Sequence, residues 1–223
     1  MVVVRENQED YNKIMQNEKC KICRRLGTKL FLKGEKCFLP KCAIVRKPYS
    51  PGQKGKKQQR TFSEYKKELK EKQKLKNWYC LREKQFRKYV KNALQVRGKV
   101  DDVSIILIQI LESRLDNVIF RLGLASSRVS ARQLISHGHI LVNNKPVNIA
   151  SFLVKKGDVI SVKPTSIKKG IFRTIFSNLK KYNCPSWLKL SAEKLEGSVL
   201  DVSNLKEAAP PAEISSIFEH YSR

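Results

Sequence analysis

The sequence predicts an α+β protein: a mostly helical part, a helix–turn–helix leading into a small β-sheet, and a four-Cys segment ahead of both. Three observations carry this. Apolar residues recur at helical spacing over 86–94 and again over 108–135, with a connection at Gly98 to Asp102 between them. Beyond Gly138 the period changes from 3.6 to 2. Four of the six cysteines fall in one stretch with the spacing C-x2-C-x13-C-x4-C.

Cys20, Cys23, Cys37 and Cys42 form that stretch. Two close pairs of thiolates suit a tetrahedral zinc ion with no open position, so a structural Zn2+, one per chain, is expected. The alternative is four small apolar side chains packed in a core. Lys47 to Arg60 (KPYSPGQKGKKQQR) is a loop rich in Pro, Gly and Lys. Thr61 and Glu64 have capping-box spacing, and a Lys-dense helix runs to a break near Asn77. Phe86, Tyr89, Val90, Ala93 and Leu94 mark the buried face of the next helix; Arg87, Lys88 and Lys91 mark the other.

Ser104 is placed to cap a further helix, whose stripe is Ile108, Leu111, Leu115, Val118, Ile119 and Leu122. Gly123 sits where a left-handed residue ends a helix. Ser126 or Ser127 caps a second helix, stopped by Gly138. Ile140-Leu141-Val142, Asn143-Asn144 and Lys145-Pro146-Val147 read as a tight hairpin, since Asn tolerates positive φ. Lys156-Gly157-Asp158 is a turn before the strand 159–162. Residues 168–190 read as mixed, with Trp187 and Leu188 as core anchors.

Charge narrows the function. Lys and Arg number 46 against 20 Asp and Glu, a formal net charge of +26. It is a block: net −1 over 1–20, +21 over 21–100, +9 over 101–190 and −3 over 191–223. A basic chain of this kind meets a polyanion, and nucleic acid leads. The longest nearly charge-free apolar run, Val103–Leu111, is about half of the ~20 residues that a membrane span needs, so no membrane partner is expected. The first 19 residues lack the pattern of a signal or transit peptide, so the cytosol is the expected location.

On a helix, Arg114 and Arg121 lie about 20° apart and Arg128 and Arg132 about 40° apart. Ala131, Leu134 and Ile135 take the other side. Both short helices are therefore expected to bury one face and present arginines to phosphate on the other. On this reading, Ala at Arg128 and Arg132 leaves folding intact and weakens RNA binding. His137 and His139 flank Gly138 and suit base stacking or backbone contacts.

Glu112-Ser113-Arg114-Leu115-Asp116-Asn117-Val118, Arg121-Leu122-Gly123 and the run Ala131 to Asn143 (ARQLISHGHILVN) resemble the S-four RNA-binding domain. They look specifically like the form found in the bacterial family of small-subunit ribosomal protein four. Residues 29–34 (KLFLKG), Pro40-Lys41-Cys42-Ala43, Pro51-Gly52-Gln53, Ser63-Glu64-Tyr65, Arg82 to Arg87 (REKQFR) and Tyr221-Ser222-Arg223 are similar to the same family, in the right order. The resemblance implies an S-four domain inserted within a mostly helical one. The expected division is an extension at 1–19, a zinc-binding segment at 20–45, the helical domain at 46–104 and 166–223, and the insert at 105–165. It also implies the partners: small-subunit ribosomal RNA at the 5′-domain junction, mRNA at the entry side, and ribosomal proteins three and five. The implied roles are nucleating assembly and supporting decoding accuracy, with no catalysis and no small-molecule substrate. An RNA chaperone or an RNA-modifying protein carrying the same module is the alternative.

The expected RNA-binding residues fall in four groups. Arg46, Lys47, Lys54, Lys56, Lys57 and Arg60 surround the loop. Lys72, Lys74, Lys76, Arg82, Lys84, Arg87 and Lys88 lie on the two Lys-rich helices. Arg114, Arg121, Arg128 and Arg132 belong to the helix–turn–helix. His137, His139 and Lys145 adjoin the hairpin.

Overall fold

The computed structural model describes residues 19–52, 63–96, 102–167, 170–179, 182–191 and 195–222. The Thr61 cap falls outside them. Residues 19–26 are helical and lead into a 3-10 turn at Gly34–Cys37 and a helical turn at Ala43–Arg46. The longer helices are α1 (Glu64–Trp78), α2 (Glu83–Gln95), α3 (Val103–Glu112), α4 (Leu115–Arg121) and α5 (Arg128–Ser136). Strands β1 (Ile140–Val142), β2 (Lys145–Pro146) and β3 (Val159–Val162) follow. Then come α6 (Gly170–Leu179), β4 (Leu188–Ser191), β5 (Glu196–Val199) and α7 (Ile214–Ser222).

The strands form one antiparallel sheet in the order β2-β1-β3-β5-β4. Val142 pairs with Lys145 across a two-residue turn, and Asn143 and Asn144 have φ of 49° and 63°. Both are left-handed, as the expected hairpin requires. The Asn143 amide also donates to Asp158 at 2.8 Å and accepts from the Val159 N–H at 2.9 Å, tying the turn to β3.

Two apolar cores result. Leu115, Val118 and Ile119 of α4, and Leu122 at its C-cap, pack with Ile135, Ile140, Ile160, Phe172, Trp187 and Leu188 around the sheet. Leu26 and Leu30 pack with Leu75, Phe86, Val90, Leu107, Leu111 and Ile217 in the helical core. Trp187 and Leu188 are thus the core anchors expected.

Two boundaries differ from the expectation. The stripe running from Ile108 to Leu122 belongs to two helices, broken at Ser113-Arg114. The loop 150–154 takes over the backbone there. The Leu115 and Asp116 amides donate to the Phe152 and Ala150 carbonyls, and the Val154 amide donates to the Ser113 carbonyl. As a result α3 stays with the helical core. Its N-cap is Asp102, which accepts from the Ser104 N–H at 2.8 Å, rather than Ser104 itself.

The second boundary is at the other end. The chain does not return to the helical domain at 166. Strand β5 pairs with β3, so Phe172, Leu179, Trp187, Leu188, Leu195 and Val199 share the core of the sheet. Among the described residues after 166, the turn Leu205–Ala208 and helix α7 pack back on α1, α2 and α3.

Gly123 ends α4 in a Schellman motif: its N–H donates to Phe120, and the Leu124 N–H donates to Ile119. Its φ is +76°, and an added Cβ would stand 2.9 Å from Tyr182 and 3.0 Å from Leu179. Both strain and crowding follow from any side chain there. Gly123→Ala is expected to cost about 2 kcal/mol of stability, measured by denaturant unfolding at constant m-value.

Candidate nucleic-acid interface

The arginines expected on the open face of the helix–turn–helix are in the interior. Arg114 is 2% exposed and Arg128 6%. The side chains of Arg121 and Arg132 are largely covered. Two buried carboxylates gather them. Asp116 accepts from Arg114 Nε and Nη2 at 3.1 and 2.8 Å, and from Arg132 Nε and Nη2 at 3.2 and 2.5 Å. Glu112 accepts from Arg121 Nε at 3.0 Å and Nη2 at 3.1 Å. It also accepts from Asn117 Nδ2 at 2.7 Å and the Tyr79 hydroxyl at 2.6 Å.

The arginines reach outward from this centre to other elements. Arg114 Nη1 donates to the Tyr89 hydroxyl on α2 at 2.6 Å. Arg132 Nη1 donates to the Cys80 carbonyl at 2.7 Å. Arg121 Nη2 donates to the Ala208 carbonyl at 2.9 Å. Arg128 is held differently. Its Nε donates to Asn117 Oδ1 at 2.7 Å, and its guanidinium stacks 4.2 Å from the Trp78 ring and 4.6 Å from Phe120. Cation–π attraction is strongest where water is excluded. The expectation that Arg128 and Arg132 point away from the core is therefore corrected, and so is the expectation that replacing them spares the fold.

Helical spacing sets which residues share a face, but not what covers that face. Trp78, Tyr79 and Tyr89, which do so here, carry no sequence signal for it.

The other expected contacts divide between paired and open. Lys72 and Lys76 both bond Glu83, at 2.9 and 3.1 Å, and Lys74 pairs with Glu71. His139 Nδ1 contacts Ser166 Oγ at 2.9 Å, and Arg82 is half-buried. Arg46, Lys47, Lys84, Arg87, Lys88, His137 and Lys145 are exposed. Lys54, Lys56, Lys57 and Arg60 lie outside the described residues.

One open group is ordered. Lys84, Arg87, Lys88 and Lys91 follow the i, i+3, i+4, i+7 spacing on α2 and are all exposed. Phe86, Val90 and Ala93 anchor the opposite face at 0% exposure. This is a rigid basic stripe suited to a phosphate backbone. Lys91 completes it, a residue that its spacing already marked.

Cys20, Cys23, Cys37 and Cys42 all line one cavity of about 10 Å3 beside Lys29 and Lys33. Burial pushes the Cys23 thiol up to about 11 and raises Cys37. The Lys33 N–H donates to Cys37 Sγ at 3.4 Å. Among the described residues, no three His, Cys, Asp or Glu side chains are already set as a metal site. Four soft thiols around one ion-sized cavity are nonetheless a donor set that fits zinc.

Comparison with known proteins bears on this arrangement. The family described as "Ribosomal protein S4/S9 N-terminal domain" matches residues 15–112, and "S4 domain" matches 113–160. A protein of Halothermothrix orenii named small ribosomal subunit protein uS4 is 46% identical over 204 residues, covering 92% of this chain and 96% of that one. The chain belongs to the uS4 family. The uS4 of Kosmotoga olearia is 44% identical and the uS4A of Bdellovibrio bacteriovorus 43%, each with the same coverage. The border between the two matched regions, at 112/113, coincides with the break between α3 and α4. Among the described residues, no helix is long and apolar enough to cross a membrane.

Asp116→Asn leaves two buried guanidiniums without their shared charge. It is expected to cost about 3–5 kcal/mol in denaturant unfolding, because breaking a buried pair strands its partners. Arg132→Ala is expected to lower stability, since it removes donors from Asp116 and from the Cys80 carbonyl. Burial alone would raise the carboxyls of Asp116 and Glu112, but the arginines outweigh it and hold both below the ordinary range. Their folded pKa values are depressed, so their contribution is complete above the unfolded value, near ~4. It is lost as pH falls below that. Thermal melts should hold steady from pH 7 to 5 and drop below about pH 4, and Asp116→Asn should flatten the drop.

Proposed function

We propose that the protein is a structural, non-catalytic constituent of the small ribosomal subunit that binds folded small-subunit ribosomal RNA. The observation that carries this is the open basic stripe of Lys84, Arg87, Lys88 and Lys91 on a helix anchored at 0% exposure. A rigid row of cations positions a phosphate backbone without reading bases. Specificity then comes from RNA shape, with His137 and Lys145 at the exposed end of the hairpin domain as further contacts. The uS4 membership supports the ribosomal setting, in the cytoplasm. The finer reading is that the RNA is the 5′-domain junction, that binding there nucleates assembly, and that the protein supports decoding accuracy. Ribosomal proteins three and five and the incoming mRNA are then its neighbours.

Zinc belongs to the same proposal. Cys20, Cys23, Cys37 and Cys42 would hold one Zn2+ as thiolates, cross-linking residues 20–45. Elemental analysis of freshly isolated protein should find about one zinc per chain. Cys23→Ser should release it and loosen 20–45 toward proteolysis while α1 to α3 keep their helicity.

The ribosomal reading is tested by sedimentation. The protein should remain stoichiometric with small subunits through a high-salt wash. Its affinity for a folded 5′-domain transcript should exceed that for linear RNA of equal length. Changing Arg87 and Lys88 to Ala should make the log–log salt dependence shallower by about 0.7–0.9 per phosphate left unneutralised. Equal affinity for both RNAs would reduce the protein to a non-specific polycation.

A further inference from the structure

A second basic site lies away from the α2 stripe. Lys19, Lys33 and Lys36 line a cleft of about 290 Å3 together with Ser127, Ser130 and Gln133. It opens where the Cys segment meets the N-terminus of α5. None of its lining residues is acidic; Glu35, on the same turn, does not line it. Lys19 is 8% exposed, and among the described residues no ion pair or hydrogen bond meets its ammonium. Lys19 and Lys33 also line the Cys cavity, so sulfurs stand near two of the three cations; on the cleft side no carboxylate lines the open space, which favours an anion there.

The backbone on the opposite wall has the same polarity. The first intrahelical bond of α5 runs from the Ala131 N–H to the Ser127 carbonyl, and Ser127 Oγ accepts from the Ser130 N–H at 3.2 Å. The Arg128 and Val129 amides precede that bond at the positive end of the helix, and among the described residues no backbone carbonyl accepts from them. The walls are fixed against each other. Gly34 has a φ of +61°, and a Cβ there would stand 2.7 Å from the Ser126 carbonyl oxygen. Only glycine lets the 34–37 turn sit this close to the loop before α5, so the spacing of the lysines from the helix end is set by backbone contact.

We infer that this cleft, formed by Lys19, Lys33 and Lys36 against the N-terminus of α5, binds a phosphate group of the RNA backbone. The inference rests on the RNA-binding reading above. A phosphodiester presents the compact anionic oxygens that ammonium groups and helix-terminal amides address together. The cleft is larger than a phosphate, so the adjoining sugar enters with it.

The test uses the full-length protein and a folded transcript of the small-subunit RNA 5′ domain. Lys33→Ala/Lys36→Ala should bind it about tenfold more weakly, with a salt slope shallower by about 0.7–0.9 for each phosphate that goes unneutralised. Thermal melting should stay unchanged, since neither ammonium has a partner to lose among the described residues. Phosphate ethylation of the transcript should interfere with wild-type binding at one or two positions where it no longer matters to the variant. Lys33→Arg/Lys36→Arg should restore both. An unchanged slope and interference pattern would overturn the inference while leaving the ribosomal reading intact. Wild-type protein that does not prefer the folded transcript would overturn both. Calorimetry with inorganic phosphate gives the remaining arm: lysine-dependent uptake without any change in RNA interference would assign the cleft to a free phosphate and overturn the RNA source. Unchanged RNA binding with loss of an acidic neighbouring protein would overturn it as well.

Discussion

Glu112 and Asp116 place two negative charges where four guanidiniums converge, and the arrangement of the surrounding elements follows from that exchange. Each carboxylate is almost fully buried and takes up its lone pairs with charge-assisted donors. Burying either charge alone is prohibitive. Burying them as a set requires donors from several elements to arrive together. Tyr79, Tyr89, Asn117 and the backbone carbonyls of Cys80 and Ala208 complete the set. These groups come from the end of α1, from α2, from α4 and from the turn before α7. The network is therefore the joint between the helical core and the core of the sheet, made of directional bonds rather than of interchangeable apolar contacts.

The count of charges at this joint is uneven. Four guanidiniums face two carboxylates, and Arg128 is the one met by aromatic faces in place of a carboxylate. Its Nη2 has no hydrogen-bond partner among the described residues. The interior thus stays positive, reinforcing a surface already rich in cations. A polyanion bound outside lowers the electrostatic cost of that interior charge.

Much of the fold was legible because its signals are local. The Asn143-Asn144 turn, the Gly123 stop and the apolar face of α2 each depend on residues within one or two turns of chain. The spacing of the four cysteines also brought them to one cavity. What was not legible is long-range. The stripe from Ile108 to Leu122 continues without a phase break through Ser113-Arg114, so nothing local announces that loop 150–154 interrupts the helix. Glu196–Val199 lacks a strong alternation, yet it becomes a strand because β3 offers it a free edge. An Arg stripe opposite an apolar face looks the same in sequence whether water, RNA or a tryptophan covers it, and so the arginines read as ligands for phosphate. The carboxylates that settle the matter, at 112 and 116, were visible in the motif itself. Their meaning depends on burial, which spacing does not report.

The five-stranded sheet has a consequence for the protein before it meets RNA. An open sheet carries two edges, and an edge is a template on which another chain can add a strand. Here one edge is β2, two residues long and ending in Pro146, which has no N–H to offer. The other is β4, where Lys189 stands exposed. A recruited strand would find a donor missing at one side and a charge to desolvate at the other. Both features work against the addition of a further strand, close to exposed apolar residues such as Phe152 and Leu153.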